Sequence, residues 1–129
     1  MMKKIGLYAV LLASSLFLVS CIEPVGGSDS IPPQVSLYKP TTNDTIILGP
    51  QEVIYDAFDD QGIAKVELYI DGILAGSFNA ENGNKPKVTL NLDSATFVDK
   101  SFSYYLKVYD LGGNSSNSDV KSKIAVVTS

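Results

Sequence analysis

Short runs in which every second residue is apolar dominate the chain after Pro33. Val88, Leu90 and Leu92 alternate with Lys87, Thr89 and Asn91, and Phe102, Tyr104, Leu106 and Val108 alternate with Ser103, Tyr105, Lys107 and Tyr109. A period of two sends alternate side chains to opposite faces of an extended backbone, so each run reads as a strand with one face buried. Turn-forming residues punctuate the runs roughly every eight to twelve positions, the spacing of a β-sandwich. No segment sustains a helical period. The chain is therefore expected to be all-β.

The facing of each strand follows from its polar residues. Residues 35–38 read as the first strand, stopped at Lys39-Pro40, and residues 45–48 as a short edge strand before Gly49-Pro50. In residues 53–58, Asp56 sets the direction, because an unpaired buried carboxylate is costly; Val53, Tyr55 and Ala57 then point inward. Residues 64–70 place Val66, Leu68 and Ile70 inward and Lys65, Glu67 and Tyr69 outward. Asp71-Gly72 between Ile70 and Ile73 is a two-residue hairpin signal, which carries Ile73 and Ala75 onto the inner face. Residues 79–86 form a polar loop, and residues 110–114 turn the chain into a last strand with Val120, Ile124 and Val126, interrupted at Ser122.

Composition removes several chemistries. The 129 residues contain no histidine, the commonest general base and zinc ligand, so triads with histidine and zinc hydrolase motifs are excluded. The formal net charge is -4 and every basic residue is lysine, a poor profile for nucleic acid and one without a polybasic patch for anionic lipid. No Gly-rich phosphate loop precedes a helix, which removes nucleotide hydrolysis. The acids fall in turns and on solvent faces, with no long loops to build a cleft for paired carboxylates. The expectation is a protein that is not an enzyme and carries no cofactor.

The leader has its own logic. Lys3 and Lys4, an apolar run over residues 5–12, a small-residue patch and Leu16-Phe17-Leu18-Val19-Ser20-Cys21 form a tripartite export signal. The apolar run is short of the about 20 residues that a spanning helix needs. Leu18-Val19-Ser20-Cys21 resembles the lipobox of bacterial lipoproteins at all four positions. That resemblance implies cleavage before Cys21, a diacylglycerol on its sulfur and an acylated amine. Residues 1–20 are then a signal peptide, residues 21–32 the lipidated cysteine and a flexible linker, and residues 33–129 one domain of about 100 residues. Two or three acyl chains anchor a protein far more firmly than the marginal single chain. The nine residues 22–30 reach roughly 30 Å when extended. The membrane, reached through this lipid, is thus the expected partner, in the bacterial cell envelope, on the outer membrane with the domain facing the periplasm or the surface. With the only cysteine consumed by lipid, no disulfide staples the domain.

Between Pro33 and Val127 a second resemblance emerges. Pro33-x-Val35, Ala57-x-Asp59, Gly62-Ile63-x-x-Val66-Glu67, Tyr69-Ile70-Asp71-Gly72 and Tyr109-Asp110-x-x-Gly113-Asn114 resemble the bacterial Ig-like domains of secreted and surface proteins. The resemblance implies an Ig-like antiparallel β-sandwich of about seven strands. Its members serve as spacers, adhesin modules and substrate-binding accessories, so a binding or structural role is expected, with a cell-surface adhesin or glycan-binding module as the alternative.

Two groups of residues are candidates for a site. Tyr69, Tyr105 and Tyr109 project from one outer face, where Lys65, Glu67 and Lys107 are expected at the rim of a platform suited to a protein or glycan partner. Asp59 and Asp60 in one loop and Asp110 with Asn114 in another lie at the same end of the sandwich and invite a calcium reading, and the alternative adhesin or glycan module would use the tyrosine face or this loop end with Asp59, Asn82 and Asp110. The Asp71 hairpin belongs at the opposite end. No spacing resembles a calcium loop, so the aspartates are expected to cap turns rather than hold metal.

Overall fold

A computed structural model describes residues 30–92, Phe97 and residues 99–128. The expected signal peptide, Cys21 and nearly all of the linker lie outside the described residues. Ten strands follow in order: β1 (Gln34–Lys39), β2 (Thr45–Ile47), β3 (Gly49–Glu52), β4 (Ile54–Phe58), β5 (Ile63–Ile70), β6 (Ile73–Asn79), β7 (Thr89–Leu92), β8 (Ser101–Asp110), β9 (Ser115–Asn117) and β10 (Lys121–Val127).

One layer has the order β2-β10-β8-β5-β6, with β9 added beside β8. The other is made of the pairs β1-β4 and β3-β7. Val53 joins the two pairs: it separates β3 from β4 and donates its N–H to the Val88 carbonyl at 2.9 Å, prolonging the β3-β7 ladder. The protein is an all-β, Ig-like sandwich. Among the described residues ten strands stand where about seven were expected: residues 45–47 form the expected edge strand, whereas Gly49–Glu52 and Ser115–Asn117 are strands that the alternation does not mark.

The period-two reading placed the core well. Leu37, Val53, Tyr55, Val88, Leu90 and Leu92 from one layer meet Val66, Leu68, Phe102, Tyr104, Leu106, Val108, Ile124 and Val126 from the other, all buried. The two inward tyrosines satisfy their hydroxyls on loop carbonyls, as buried polar groups must. Tyr104 donates to the Pro40 carbonyl at 2.7 Å and Tyr55 to that of Pro86. Burial pushes both phenol pKa values well above the ordinary tyrosine value, with the Asp119 and Asp44 charges adding to the effect at Tyr104.

Two expectations need correction. The Asp71-Gly72 hairpin forms as expected, with φ values of 51 and 81° and Ile70 opposite Ile73. Leu68 then pairs with Gly76 and Tyr69 with Leu74, which leaves Ala75 as an extra residue in a bulge. The bulge hands the inner face to Gly76 and Phe78, opposite Leu68 and Val66, while Ala75 is exposed and Ile73 is 72% exposed. The second correction concerns Val120, which lies before β10 and is exposed. Chain from Ser115 to Asn117 forms β9 instead, and the buried Ser118 takes over the ladder: its N–H donates to the Leu106 carbonyl, and its Oγ accepts the Leu106 N–H at 2.9 Å.

Gly62 welds the end of the sandwich that precedes β5. Its φ is +105°, and a Cβ there would come within 3.1 Å of both the Gly83 Cα and the Leu111 Cδ1. Only glycine lets three loops meet: Ile63 N–H donates to Gly83 O at 2.8 Å and Leu111 N–H to Gly62 O at 3.1 Å.

Candidate functional site

The register of β5 against β8 creates the tyrosine face. Lys65 sits opposite Tyr109, Glu67 opposite Lys107 and Tyr69 opposite Tyr105, so six outward side chains form three cross-strand pairs. β6 adds Asn79, Ser77 and Leu74 in the same three rows, and β9 adds Ser115 and Asn117 beside Tyr109 and Lys107.

These residues touch. The Tyr69 and Tyr105 rings stack with centroids 5.0 Å apart and planes 4° from parallel. That separation matches the strand spacing of about 4.8 Å, so the rings face one another across the ladder. The Lys65 ammonium lies 4.7 Å from the Tyr109 ring centroid and that of Lys107 5.2 Å, both as cation–π contacts. The structure thus brings the three expected tyrosines into one surface.

Glu67 is the departure. The alternation correctly turns it outward, but it is not a rim residue: it is 8% exposed, under the side chains around it. Its Oε1 accepts the Tyr69 hydroxyl at 3.0 Å and the Tyr109 hydroxyl at 2.9 Å, and its Oε2 lies 3.4 Å from the Lys65 ammonium. Burial alone would raise its pKa, yet the donors from Tyr109, Tyr69 and Lys65 outweigh it and hold the carboxyl below its ordinary value. The hydrogen bond to Glu67, assisted by burial, raises the Tyr69 phenol in turn, and the Tyr109 hydroxyl raises the Lys107 ammonium. Glu67 is the hub that fixes two of the three rings.

A carboxylate favoured in the folded state contributes stability above its unfolded pKa, and that contribution is lost as pH falls through the folded value. Glu67→Gln is accordingly expected to destabilise the domain at pH 6 and to lose that difference progressively as pH falls below the ordinary glutamate value of about 4.3. Urea midpoints of the two proteins across this range check it. A difference independent of pH would contradict the ionised hub.

The acidic loops behave as caps. Asp59 Oδ2 accepts the Gln61 N–H at 2.9 Å, two residues on. Asp110 is buried and accepts the Asn114 N–H at 2.8 Å through Oδ1 and the Asn114 side-chain N–H at 3.0 Å through Oδ2. Asp60 is exposed. Asp71, at the opposite end, accepts the Ser103 N–H at 2.9 Å and so ties the hairpin to β8, a cross-strand link that sequence spacing does not reveal. Asp59 Oδ1 is buried with no hydrogen-bond partner among the described residues. Among those residues no group of three His, Cys, Asp or Glu side chains is placed to hold a metal ion. Calcium needs six or more oxygens, so the thermal melt is expected to be the same in millimolar calcium and in EDTA. A calcium-dependent rise in Tm would reinstate Asp59, Asp60 and Asp110 as ligands.

Comparison with known proteins fits this architecture. Residues 33–108 match the family model described as the bacterial Ig domain. A fibronectin(III)-like module of CbhA from Clostridium thermocellum superposes with a TM-score of 0.53 at 19% identity, over 73% of this chain and 99% of the module. At that identity the likeness concerns the fold. A search of curated proteins gave no match.

Proposed function

Because the chain belongs to the bacterial Ig domain family, we propose that it is a non-catalytic envelope lipoprotein, anchored by lipid on Cys21, whose sandwich binds a protein partner. The face of Tyr69, Tyr105 and Tyr109 carries the proposal. It is preassembled: the Glu67 hub, the stacked pair and the cation–π contacts hold the side chains before any partner arrives. Binding through side chains already ordered costs less conformational entropy than binding through mobile ones. The tyrosines are of the kind enriched at protein interfaces, with the lysines and short polar residues placed where a polar rim would be.

Non-catalytic action is supported by the general character of Ig-like modules and by the absence of histidine from the sequence. Anchoring by lipid rests on the Leu18-Val19-Ser20-Cys21 motif, and an outer-membrane place with the domain facing the periplasm or the surface is proposed with it. The test is capture of crosslinked partners from whole envelopes. Tyr69→Ala with Tyr105→Ala is expected to remove the captured species at least tenfold while the circular dichroism spectrum stays all-β. Undiminished capture by the folded double variant would refute the face as the binding surface.

A further inference from the structure

The tyrosine face differs in charge from the molecule that carries it. The whole chain has net charge -4, yet the outward positions of β5 and β8 hold Lys65 and Lys107 against one carboxylate, Glu67. Lys65 is spent on Glu67, at 3.4 Å. Lys107 forms no salt bridge among the described residues, and the Glu67 opposite it is already covered by two phenols and Lys65. Its ammonium rests on the ring and hydroxyl of Tyr109 and carries no carboxylate partner among the described residues, so an outside anion could pair with it.

The rings limit what that anion belongs to. A sugar binds an aromatic platform by lying on an open ring face. Tyr69 and Tyr105 each turn one face to the other, and register sets Leu74 on the far side of Tyr69. The Tyr109 ring lies under the Lys65 and Lys107 ammonium groups. What the surface offers is an apolar row of Leu74, Tyr69 and Tyr105, with Lys107, Asn117 and Ser77 in the row beside it. Lys107 and Tyr105 are two residues apart on one strand, roughly 7 Å, the repeat of alternate side chains on an extended peptide.

From this juxtaposition we propose that the face takes an extended, acidic segment of another protein, with a carboxylate on Lys107 and an apolar side chain over the Tyr69–Tyr105 pair. This deepens the proposed function and rests on the same face. The net negative charge of the chain disfavours such a segment over the rest of the surface on average, which favours the tyrosine face.

The test is titration of the 15N-labelled full chain, in mild detergent, with a blocked glutamate decapeptide, a lysine decapeptide and a short oligogalacturonate. The glutamate peptide is expected to move the amides of Tyr69, Tyr105 and Lys107 and to weaken at least fivefold in Lys107→Gln and further in Lys107→Glu. Each variant is checked for an unchanged thermal melt. Silence towards the glutamate peptide, equal binding by folded Lys107→Gln, or preference for oligogalacturonate would overturn the acidic-segment proposal. Envelope capture separates this from the wider reading. Capture lost in the tyrosine double variant but kept in Lys107→Gln removes the acidic partner and leaves the binding face, whereas capture kept in both removes both.

Discussion

Cys21→Ser should abolish incorporation of labelled palmitate and leave residues 1–20 uncleaved. In the proposed anchoring the thiolate accepts the diacylglyceryl group, and a serine hydroxyl would not replace it in that chemistry. The effect is expected to be complete rather than partial, since both chains of the proposed diacylglycerol depend on the sulfur. Metabolic labelling followed by immunoprecipitation checks it. A serine variant that still carries palmitate and still partitions into detergent would end the lipoprotein reading. The domain itself should fold as before, because its core draws on residues from Leu37 onward.

Leu106→Ala should cost about 2–5 kcal/mol, the range for truncating a fully buried leucine. Leu106 is 0% exposed, at the centre of β8, the longest strand, and pairs with Leu68 of β5. The domain has no disulfide to fall back on, and small domains are stable by only about 5–15 kcal/mol. The corresponding fall in Tm is of order 10–25 °C. Thermal melts by circular dichroism read it directly, with the exposed Lys100→Ala as a control expected within about 0.5 kcal/mol. A Leu106→Ala protein that melts like the parent would mean that the two layers do not share the core described above.

Much of this architecture was legible in the alternation of apolar residues. It identified Val88, Leu90 and Leu92, the inward set of β8 and the facing of β4, because a two-residue period leaves a strand no choice once one face is buried. Where it failed, a backbone irregularity intervened. Ala75 was expected inside because counting continued through the hairpin, but the bulge adds a residue that no periodicity contains; Ile73 keeps its expected place opposite Ile70 and is exposed beside the turn. β9 was invisible for the opposite reason: residues 115–119 are polar throughout, so they carry no apolar signal, and the hydroxyl of Ser118 does the pairing.

The binding face shows the same division. Its tyrosines could be assigned to one side from parity, and their meeting followed from two strands being neighbours. The role of Glu67 could not, since an outward carboxylate normally remains solvated, and here it is covered only because Tyr69, Tyr109 and Lys65 all reach it from adjacent rows. The resemblance over Pro33 to Val127 anticipated the bacterial Ig domain match over residues 33–108. Asp59 and Asp110 of the loop end bond to backbone N–H groups, Asp59 two residues ahead and Asp110 four.

The most direct measurement of what this domain does is site-specific photocrosslinking in living cells. A benzophenone side chain is placed at Tyr105 in one strain and at Ser36, on the outer side of β1 in the opposite layer, in another. The account predicts a discrete adduct of one protein at position 105 and none at position 36. An adduct only at position 36, or none at position 105 in cells where the protein is fully lipidated, would contradict it.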